Sequence, residues 1–251
     1  MARLPGDQAP GVDRPGRRGR GPRCRRDPGR RAGRFRRRRV IQDAAAPRRL
    51  LLLRHGQTAW NLEHRIQGHT DVPLDDTGVV QAEKVAPVIA AMGPSLLRSS
   101  DLSRARVTAE KVAEAAGLEV EVDPRLREFD LGERAGLTHG EYAETNADEF
   151  AAFRTGRYDV VPGGESRAQL EARFVPALDE AVALLSPGQL GVVVAHGAAL
   201  KVGLTAWLGW PPETVLTLQA LGNCHWVLLE ESEGAAGASP VRRLAAYNRH
   251  V

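Results

Sequence analysis

The chain has 251 residues, a formal net charge of +4 and two cysteines. This length suits one large α/β domain better than two smaller ones. We expect no membrane partner, because there is no signal-peptide pattern and no run approaches the roughly 20 apolar residues of a membrane helix. Two cysteines cannot form a disulfide framework, which favours the cytoplasm as the location.

The first 48 residues are rich in Arg, Gly and Pro, and residues 1–49 hold 17 arginines against four acidic residues. Such a segment cannot bury enough apolar surface to offset the entropy of ordering, so residues 1–48 are predicted to be a disordered tail. Arg36 to Arg39 would suit a nucleic-acid backbone. A solvated tail, or an extension from a start codon assigned too far upstream, is the favoured interpretation, and nucleic acid is not favoured as a partner. Cys24 and Arg30 have the Cys-x5-Arg spacing of cysteine-dependent phosphatases, which chance explains in so arginine-rich a segment.

Residues 49–251 are interpreted as one domain in which strand and helix patterns alternate. Four leucines at residues 50–53 predict a strand buried on both faces. Further strands are predicted at residues 95–99, 118–122, 191–195, 225–230 and 242–247. Helices are predicted at about residues 76–92, 105–116, 138–155, 166–185 and 197–208. This alternation predicts an α/β three-layer sandwich, with a mainly parallel central sheet and helices on both faces.

Local signals predict where the chain turns and where it leaves the core. Gly117 should end the second helix, and Pro87 should kink the first. Residues 61–76 are predicted to form a polar loop, and residues 123–133 carry too many charges to be buried.

Two of the apolar strands end in a histidine followed by a glycine. Arg54-His55-Gly56 follows residues 50–53, and His196-Gly197 follows residues 191–195. Open α/β sheets bind ligands beyond the carboxyl ends of their parallel strands, so the two histidines meet if these strands are neighbours. An imidazole beside a guanidinium at such an edge indicates an anionic substrate, with phosphate as the obvious candidate.

The stretch from Arg54 to Asn61 resembles the signature of the histidine phosphatase superfamily, the phosphoglycerate mutase-like enzymes. Three later motifs stand in the order of that family: Ser99-Ser100-Asp101-Leu102-Ser103-Arg104, Leu126-Arg127-Glu128-Phe129, and His196-Gly197 after a late apolar strand. The resemblance covers the chain from about residue 50 to its end. It implies hydrolysis of a small phosphomonoester through a phosphohistidine intermediate.

Family positions assign roles to individual residues. The resemblance implies that His55 is the nucleophile and that Glu128 protonates the leaving oxygen and then activates water. Five further residues would contact the phosphate: Arg54, Asn61, Gln67, Arg104 and His196. Glu165-Ser166 matches an architectural part of the family.

Metal and cofactor signals are absent from the sequence. His64, His69 and His139 are not grouped with Cys or carboxylates at ligand spacing. No Walker loop or dinucleotide fingerprint occurs, so we expect neither a metal nor a cofactor.

Spacing within the family motifs favours a phosphatase over a mutase. Only 68 positions separate Glu128 from His196, too few for the insertion that phosphoglycerate mutases of this family carry. Residues 220–226 and 243–248 resemble the actinobacterial glucosyl-3-phosphoglycerate phosphatases, which implies glucosyl-3-phosphoglycerate as the substrate. A broad-specificity histidine phosphatase or a phosphoglycerate mutase-like enzyme would use the same pocket and stays an alternative.

Three points stay open at this level. Arg134 stands where the family usually has Trp, and it could meet a substrate carboxylate or be a surface residue. A non-catalytic binding module on this fold is disfavoured, because His55, Glu128 and the predicted phosphate-binding arginines are all present. The resemblance is compatible with a homodimer, since dimers are common in the family.

Overall fold

The computed structural model describes residues 46–157, 160–235 and 237–251. The predictions for Cys24, Arg30, Arg36 to Arg39 and nearly all of the tail therefore lie outside the described residues. The first strand begins at Arg48, one residue before the predicted start of the domain.

One mixed sheet forms the middle layer of the described chain. Its strands are β1 (Arg48–Arg54), β2 (Leu96–Ser99), β3 (Glu121–Val122), β4 (Leu190–Ala195), β5 (Trp226–Ser232) and β6 (Val241–Arg249). They are ordered β3-β2-β4-β1-β5-β6. The strands β3, β2, β4 and β1 are parallel, whereas β5 and β6 add antiparallel pairs at one side. The predicted mainly parallel sheet is confirmed.

Helices cover both faces of this sheet. They are α1 (Ala59–Leu62), α2 (Asp76–Ala90), α3 (Ser103–Ala116), α4 (His139–Thr145), α5 (Ala147–Arg154), α6 (Arg167–Ala183) and α7 (Gly197–Trp207). Gly117 ends α3 at φ 67°, a left-handed conformation that glycine adopts without a steric penalty, as predicted. Pro87 lies inside α2, which continues to Ala90.

The four leucines of β1 divide the core into two halves. Leu50 and Leu52 pack with Phe174 of α6 and with α7, whereas Leu51 and Leu53 pack with residues of α2 and α3. All four side chains are at most 1% exposed. Each buried leucine contributes roughly 1.5–3 kcal/mol of transfer free energy, so this strand fixes both layers. The three-layer sandwich is confirmed.

The structure departs from the sequence predictions in three places. The strand predicted at residues 118–122 shrinks to Glu121–Val122, and α1 occupies the start of the predicted loop 61–76. Residues 123–133 are not wholly outside the core, because Leu126 and Phe129 are buried. The neighbouring Arg125 and Arg127 are partly exposed and form ion pairs with Asp123 and Asp101. The same segment therefore contributes side chains to the core and to the surface.

The neighbouring strands β1 and β4 bring the two histidines together. Their register pairs Arg54 with Ala195, so His55 and His196 follow at the same sheet edge. The His55 amide donates to the Ala195 carbonyl at 3.0 Å. In the described part of the chain, no helix has the length and apolar character needed to span a membrane.

Candidate active site

A cavity of about 550 Å³ opens at this sheet edge. Six of the seven predicted site residues line it: Arg54, His55, Asn61, Gln67, Arg104 and Glu128. His196 is fully buried behind them, with its ring centroid 5.2 Å from that of His55. The structure therefore gathers residues that are up to 142 positions apart in the sequence.

His55 is held in one tautomer. Its Nδ1 lies 2.6 Å from the carbonyl oxygen of Gly56, and because a carbonyl only accepts, Nδ1 must carry the proton. The other ring nitrogen, Nε2, is left with its lone pair. His55 lines the cavity, so the ring has the form that a nucleophilic nitrogen requires.

Burial keeps both histidines neutral. Burial, reinforced by Arg54 and Arg104, holds the pKa of His55 well below its usual value. Burial, followed by Arg104, His55 and Arg54, lowers the pKa of His196 in the same way. At neutral pH both imidazoles are uncharged, so the ring of His55 is available as a nucleophile without prior loss of a proton.

The backbone around His55 is braced by the loop 219–223. The side-chain amide of Asn223 donates to the carbonyl oxygens of His55 and Gly56, each at 3.1 Å. This loop is held in turn by β6, where Tyr247 donates its hydroxyl to the Gln219 carbonyl and Asn248 accepts from the Gly222 amide. The end of the chain thus positions the nucleophile.

Gly56 and the start of α2 also touch at the backbone. A Cβ at Gly56 would lie 2.4 Å from the carbonyl oxygen of Gly78, and one at Gly78 would lie 2.0 Å from that of Gln57. Both positions therefore need glycine. Thr108 of α3 accepts from the Gly56 amide at 3.1 Å and fixes the same turn.

Arg104 is 1% exposed and is oriented by three acceptors. It donates from Nη1 to the Thr70 carbonyl at 2.8 Å, from Nη2 to the Gly68 carbonyl at 2.9 Å and from Nε to Nδ1 of His196 at 3.2 Å. Burial lowers the pKa of Arg104 to about 10, so it remains charged at neutral pH. A guanidinium has five N–H groups, which leaves two for an anion in the cavity.

His196 supports Arg104 and does not reach into the cavity. Because its Nδ1 accepts from Arg104, its Nε2 carries the proton and donates to the Ser100 hydroxyl at 2.9 Å. Both ring nitrogens are therefore engaged with protein groups. The direct contact to phosphate predicted for His196 stays a prediction.

Arg54 has an unused donor at the cavity wall. Its Nη1 donates to the Leu221 carbonyl at 2.5 Å, whereas its buried Nε has no hydrogen-bond partner among the described residues. The Nε atom lies over Gly197, where a Cβ would approach it to 3.3 Å. Burial lowers the pKa of Arg54. A buried donor without an acceptor is costly, and a bound oxyanion would satisfy it.

Asn61 and Gln67 also present free polar groups. The Oδ1 atom of Asn61 accepts from the Thr58 amide and from Asn223. The side-chain amide hydrogens of Asn61 have no partner in the described part of the chain. Gln67 is 8% exposed, and its Oε1 lacks a hydrogen-bond partner among the same residues. These atoms can orient a ligand or a water molecule.

Glu128 sits at the first turn of α7. Its carboxylate accepts from the amides of Ala198 at 3.0 Å and Ala199 at 2.7 Å, where the helix has unpaired N–H groups. Arg173 holds the segment that carries it, through the carbonyls of Arg127 and Glu128 and an ion pair with Glu165. The architectural interpretation of Glu165-Ser166 is confirmed, since Ser166 caps α6.

Arg134 is neither a surface residue nor part of the cavity wall. It is 0% exposed and stacks on Phe153, with the guanidinium carbon 3.7 Å from the ring centroid. It also contacts the rings of Tyr142 and Phe150, and its Nη2 lies 3.0 Å from Nδ1 of His139. Arg134 is therefore neither a surface residue nor a ligand of a substrate carboxylate in the cavity wall. Instead it packs against aromatic side chains of α4 and α5.

Sequence reasoning missed two residues of the site. Asn223 was part of a recognised motif but had no role, and Lys201 of α7 was not singled out although it lines the cavity. Lys201 comes four residues after Gly197, and that helical spacing placed both on one face. Among the described residues no cluster could hold a metal ion, and burial raises the pKa of the Cys224 thiol to about 12, which leaves it unreactive at neutral pH.

Comparison with known proteins gives concordant results. A model of the histidine phosphatase superfamily (branch 1) matches residues 50–239. A glucosyl-3-phosphoglycerate phosphatase of Mycobacterium tuberculosis is 41% identical over 192 residues, which are 72% of this chain and 85% of that protein. A probable phosphoglycerate mutase of Cronobacter sakazakii is 38% identical, over 69% of this chain and 80% of that protein. The solved structure of a mycobacterial glucosyl-3-phosphoglycerate phosphatase with VO3 has a TM-score of 0.74 at 38% identity, covering 80% of this chain and 98% of that one.

Proposed function

This chain belongs to branch 1 of the histidine phosphatase superfamily and is a phosphoric monoester hydrolase, and from that premise we propose that it releases phosphate from glucosyl-3-phosphoglycerate. The reaction is supported above all by one observation: a neutral His55, locked with Nε2 unprotonated, in a cavity lined by Arg54, Arg104 and Glu128. The substrate is supported by the names of the relatives at 41% and 38% identity.

In the first step, Nε2 of His55 attacks the phosphorus atom and forms a P–N bond. The bond from phosphorus to the ester oxygen breaks, and its electron pair stays on that oxygen. Glu128, in its protonated form, gives the oxygen a proton, so the alcohol leaves neutral. Arg54 and Arg104 donate to the phosphoryl oxygens throughout, which places positive charge where negative charge accumulates.

In the second step, a water molecule attacks the phosphohistidine. Glu128, now a carboxylate, takes a proton from that water, the P–N bond breaks and its electrons return to Nε2 of His55. Inorganic phosphate is released, and both residues regain their starting protonation states. Asn61 lines the same cavity, and its free amide hydrogens orient the phosphoryl group in this mechanism.

The test is phosphate release from glucosyl-3-phosphoglycerate, 3-phosphoglycerate and p-nitrophenyl phosphate. We expect kcat/KM to be at least about tenfold higher for the glucosylated substrate, because the cavity is larger than a phosphate needs. Equal and slow hydrolysis of all three would contradict the named substrate and leave a broad-specificity phosphatase.

A mutase-like transfer is the second candidate, since a relative named as a probable phosphoglycerate mutase matches at 38% identity. Such an enzyme would pass the phosphoryl group from His55 to another hydroxyl of glycerate instead of water. Incubation with 3-phosphoglycerate separates the two, because a mutase accumulates 2-phosphoglycerate and a phosphatase accumulates free phosphate.

The cytoplasmic location and the homodimer remain proposals. The free thiol of Cys224 suits a reducing compartment. Sedimentation at several protein concentrations measures the oligomeric state directly.

A further inference from the structure

Lys201 is a cation of the cavity that the mechanism does not use. It lies on α7, and it lines the cavity together with Gly197 and Ala198 of the same helix. The Ala198 amide binds the carboxylate of Glu128 at 3.0 Å. Lys201 is three residues further on, roughly 4.5 Å along the helix axis, and it lines the same cavity as Glu128.

The arginines of the cavity are either paired with carboxylates or, like Arg54 and Arg104, assigned to the phosphoryl group. Arg65 pairs with Glu63 and with Glu141. Arg104 makes its three bonds to carbonyls and to His196. The ammonium group of Lys201 has no hydrogen bond or ion pair with any residue that the structure describes.

The half-buried ammonium group of Lys201 loses part of its hydration and gains no partner among the described residues in return. Burial lowers the pKa of Lys201, and no carboxylate offsets the loss of hydration. By contrast, Lys84 on α2 is exposed, and Lys111 on α3 pairs with Glu83 at 2.9 Å. An anion bound beside Lys201 would restore the missing interaction.

We infer that Lys201 binds a carboxylate on the leaving part of the substrate and thereby selects phosphate esters of hydroxy acids. The inference rests on the proposed phosphatase function and adds a residue that determines its substrate class. In 3-phosphoglycerate a single carbon separates the carboxylate from the carbon that bears the phosphate. A substrate whose ester oxygen lies at Glu128 therefore presents its carboxylate within reach of the next turn of α7.

The experiment compares two esters that differ only at this group, 3-phosphoglycerate and glycerol 3-phosphate. In Lys201→Met we expect kcat/KM for 3-phosphoglycerate to fall roughly ten- to hundredfold, mainly through KM, because one charge-assisted hydrogen bond is lost. Hydrolysis of glycerol 3-phosphate should change less than about twofold. Lys201→Arg keeps the charge and should recover part of the preference.

Lys84→Met is the matched control, because it removes an exposed lysine outside the cavity. It should leave both rates at the wild-type value. Equal losses for the two esters in Lys201→Met would overturn the inference, since the residue would then act on the fold or on the phosphoryl group. An unchanged ratio of the two rates would overturn it as well.

A failure of the proposed function gives a different pattern. If the wild type does not prefer the glucosylated substrate but the Lys201 contrast holds, the named substrate is wrong and the carboxylate site stands. If neither ester is hydrolysed, calorimetric binding to His55→Ala, with and without Lys201→Met, replaces the rates. Weaker binding of 3-phosphoglycerate alone in the double variant supports the site, and any other result overturns it.

Discussion

Two regions border the cavity and differ in how their arginines are held. On the sheet side, near the carboxyl ends of β1 and β4, His55 and Arg104 are fixed mainly by backbone groups. On the helix side, formed by α4 and α5, Arg134 lies behind the cavity wall and is surrounded by side chains. The sheet side draws on β1, β4, the start of α3 and the loops 68–70 and 219–223, and its bonds end mainly on backbone carbonyls. On the helix side, Arg134 is held by ring contacts, such as that with Phe153, and by a hydrogen bond to the side chain of His139. Backbone acceptors change little when single residues are substituted, so the chemistry is fixed on one side and specificity can vary on the other.

The largest effect should come from the sheet side. His55→Ala should lower kcat by roughly 10⁴-fold or more, because the nucleophile and its covalent intermediate are lost. Phosphate release and the thermal midpoint would be measured together, to separate chemistry from folding. His250→Ala, which removes an exposed histidine outside the cavity, should keep the wild-type rate, and substantial activity in His55→Ala would falsify the mechanism.

Glu128→Gln should show a loss that depends on the leaving group. For an alcohol leaving group, kcat/KM should fall roughly 10²- to 10⁴-fold, because the alkoxide then departs without a proton. For p-nitrophenyl phosphate the loss should stay below about tenfold, since that anion leaves unaided. Equal losses for both substrates would show that Glu128 only supports the structure.

Substitution of Arg134 tests the helix side. Arg134→Ala should lower the free energy of unfolding by about 2–4 kcal/mol, because it leaves a cavity and removes the ring contacts. Arg134→Met keeps most of the volume without a buried charge and should cost less. In both variants kcat/KM for p-nitrophenyl phosphate should change less than about threefold, since Arg134 does not line the cavity. Urea unfolding and rate measurements together check this, and a large rate loss without destabilisation would contradict it.

The last prediction is a pH dependence of stability, which is expected from the two buried histidines of the sheet side. Burial holds the pKa of His55 and His196 well below 6.5, so the unfolded chain binds protons that the native chain does not. Stability should therefore fall as the pH decreases below about 6.5, by up to roughly 1.4 kcal/mol per pH unit for each histidine. Urea unfolding of the wild type and of His55→Asn from about pH 7 to about pH 5 measures the slope. An identical slope in the variant would exclude His55 as a contributor.

Much of the sheet side could be predicted from the sequence. The four leucines of β1 and the apolar run of β4 identify central strands, and the rule that ligands bind at their carboxyl ends places His55 and His196. The hydrogen-bond partners of the individual side-chain atoms could not be predicted. The engagement of both His196 nitrogens depends on Ser100 and Arg104, which arrive from other elements.

The helix side, the segment around Glu128 and α7 were less predictable, because their side-chain directions depend on tertiary packing. Leu126 and Phe129 lie in a charged stretch, and only the docking of that segment on α6 and α7 turns them into the core. Arg134 is buried because α4 and α5 fold over it, which no local pattern encodes. Lys201 could have been found, since it follows Gly197 at helical spacing on a helix that the sequence did predict.

The position of β1 between β4 and β5 also affects how the protein is made. β1 is synthesised before its two hydrogen-bonding neighbours, which begin only at Leu190 and Trp226. Until those strands have emerged, the nascent chain therefore carries an apolar strand with both edges unpaired, which is prone to aggregate or to require a chaperone. Because Tyr247 and Asn248 brace the loop beside His55, the catalytic pocket is completed only after β6 has emerged.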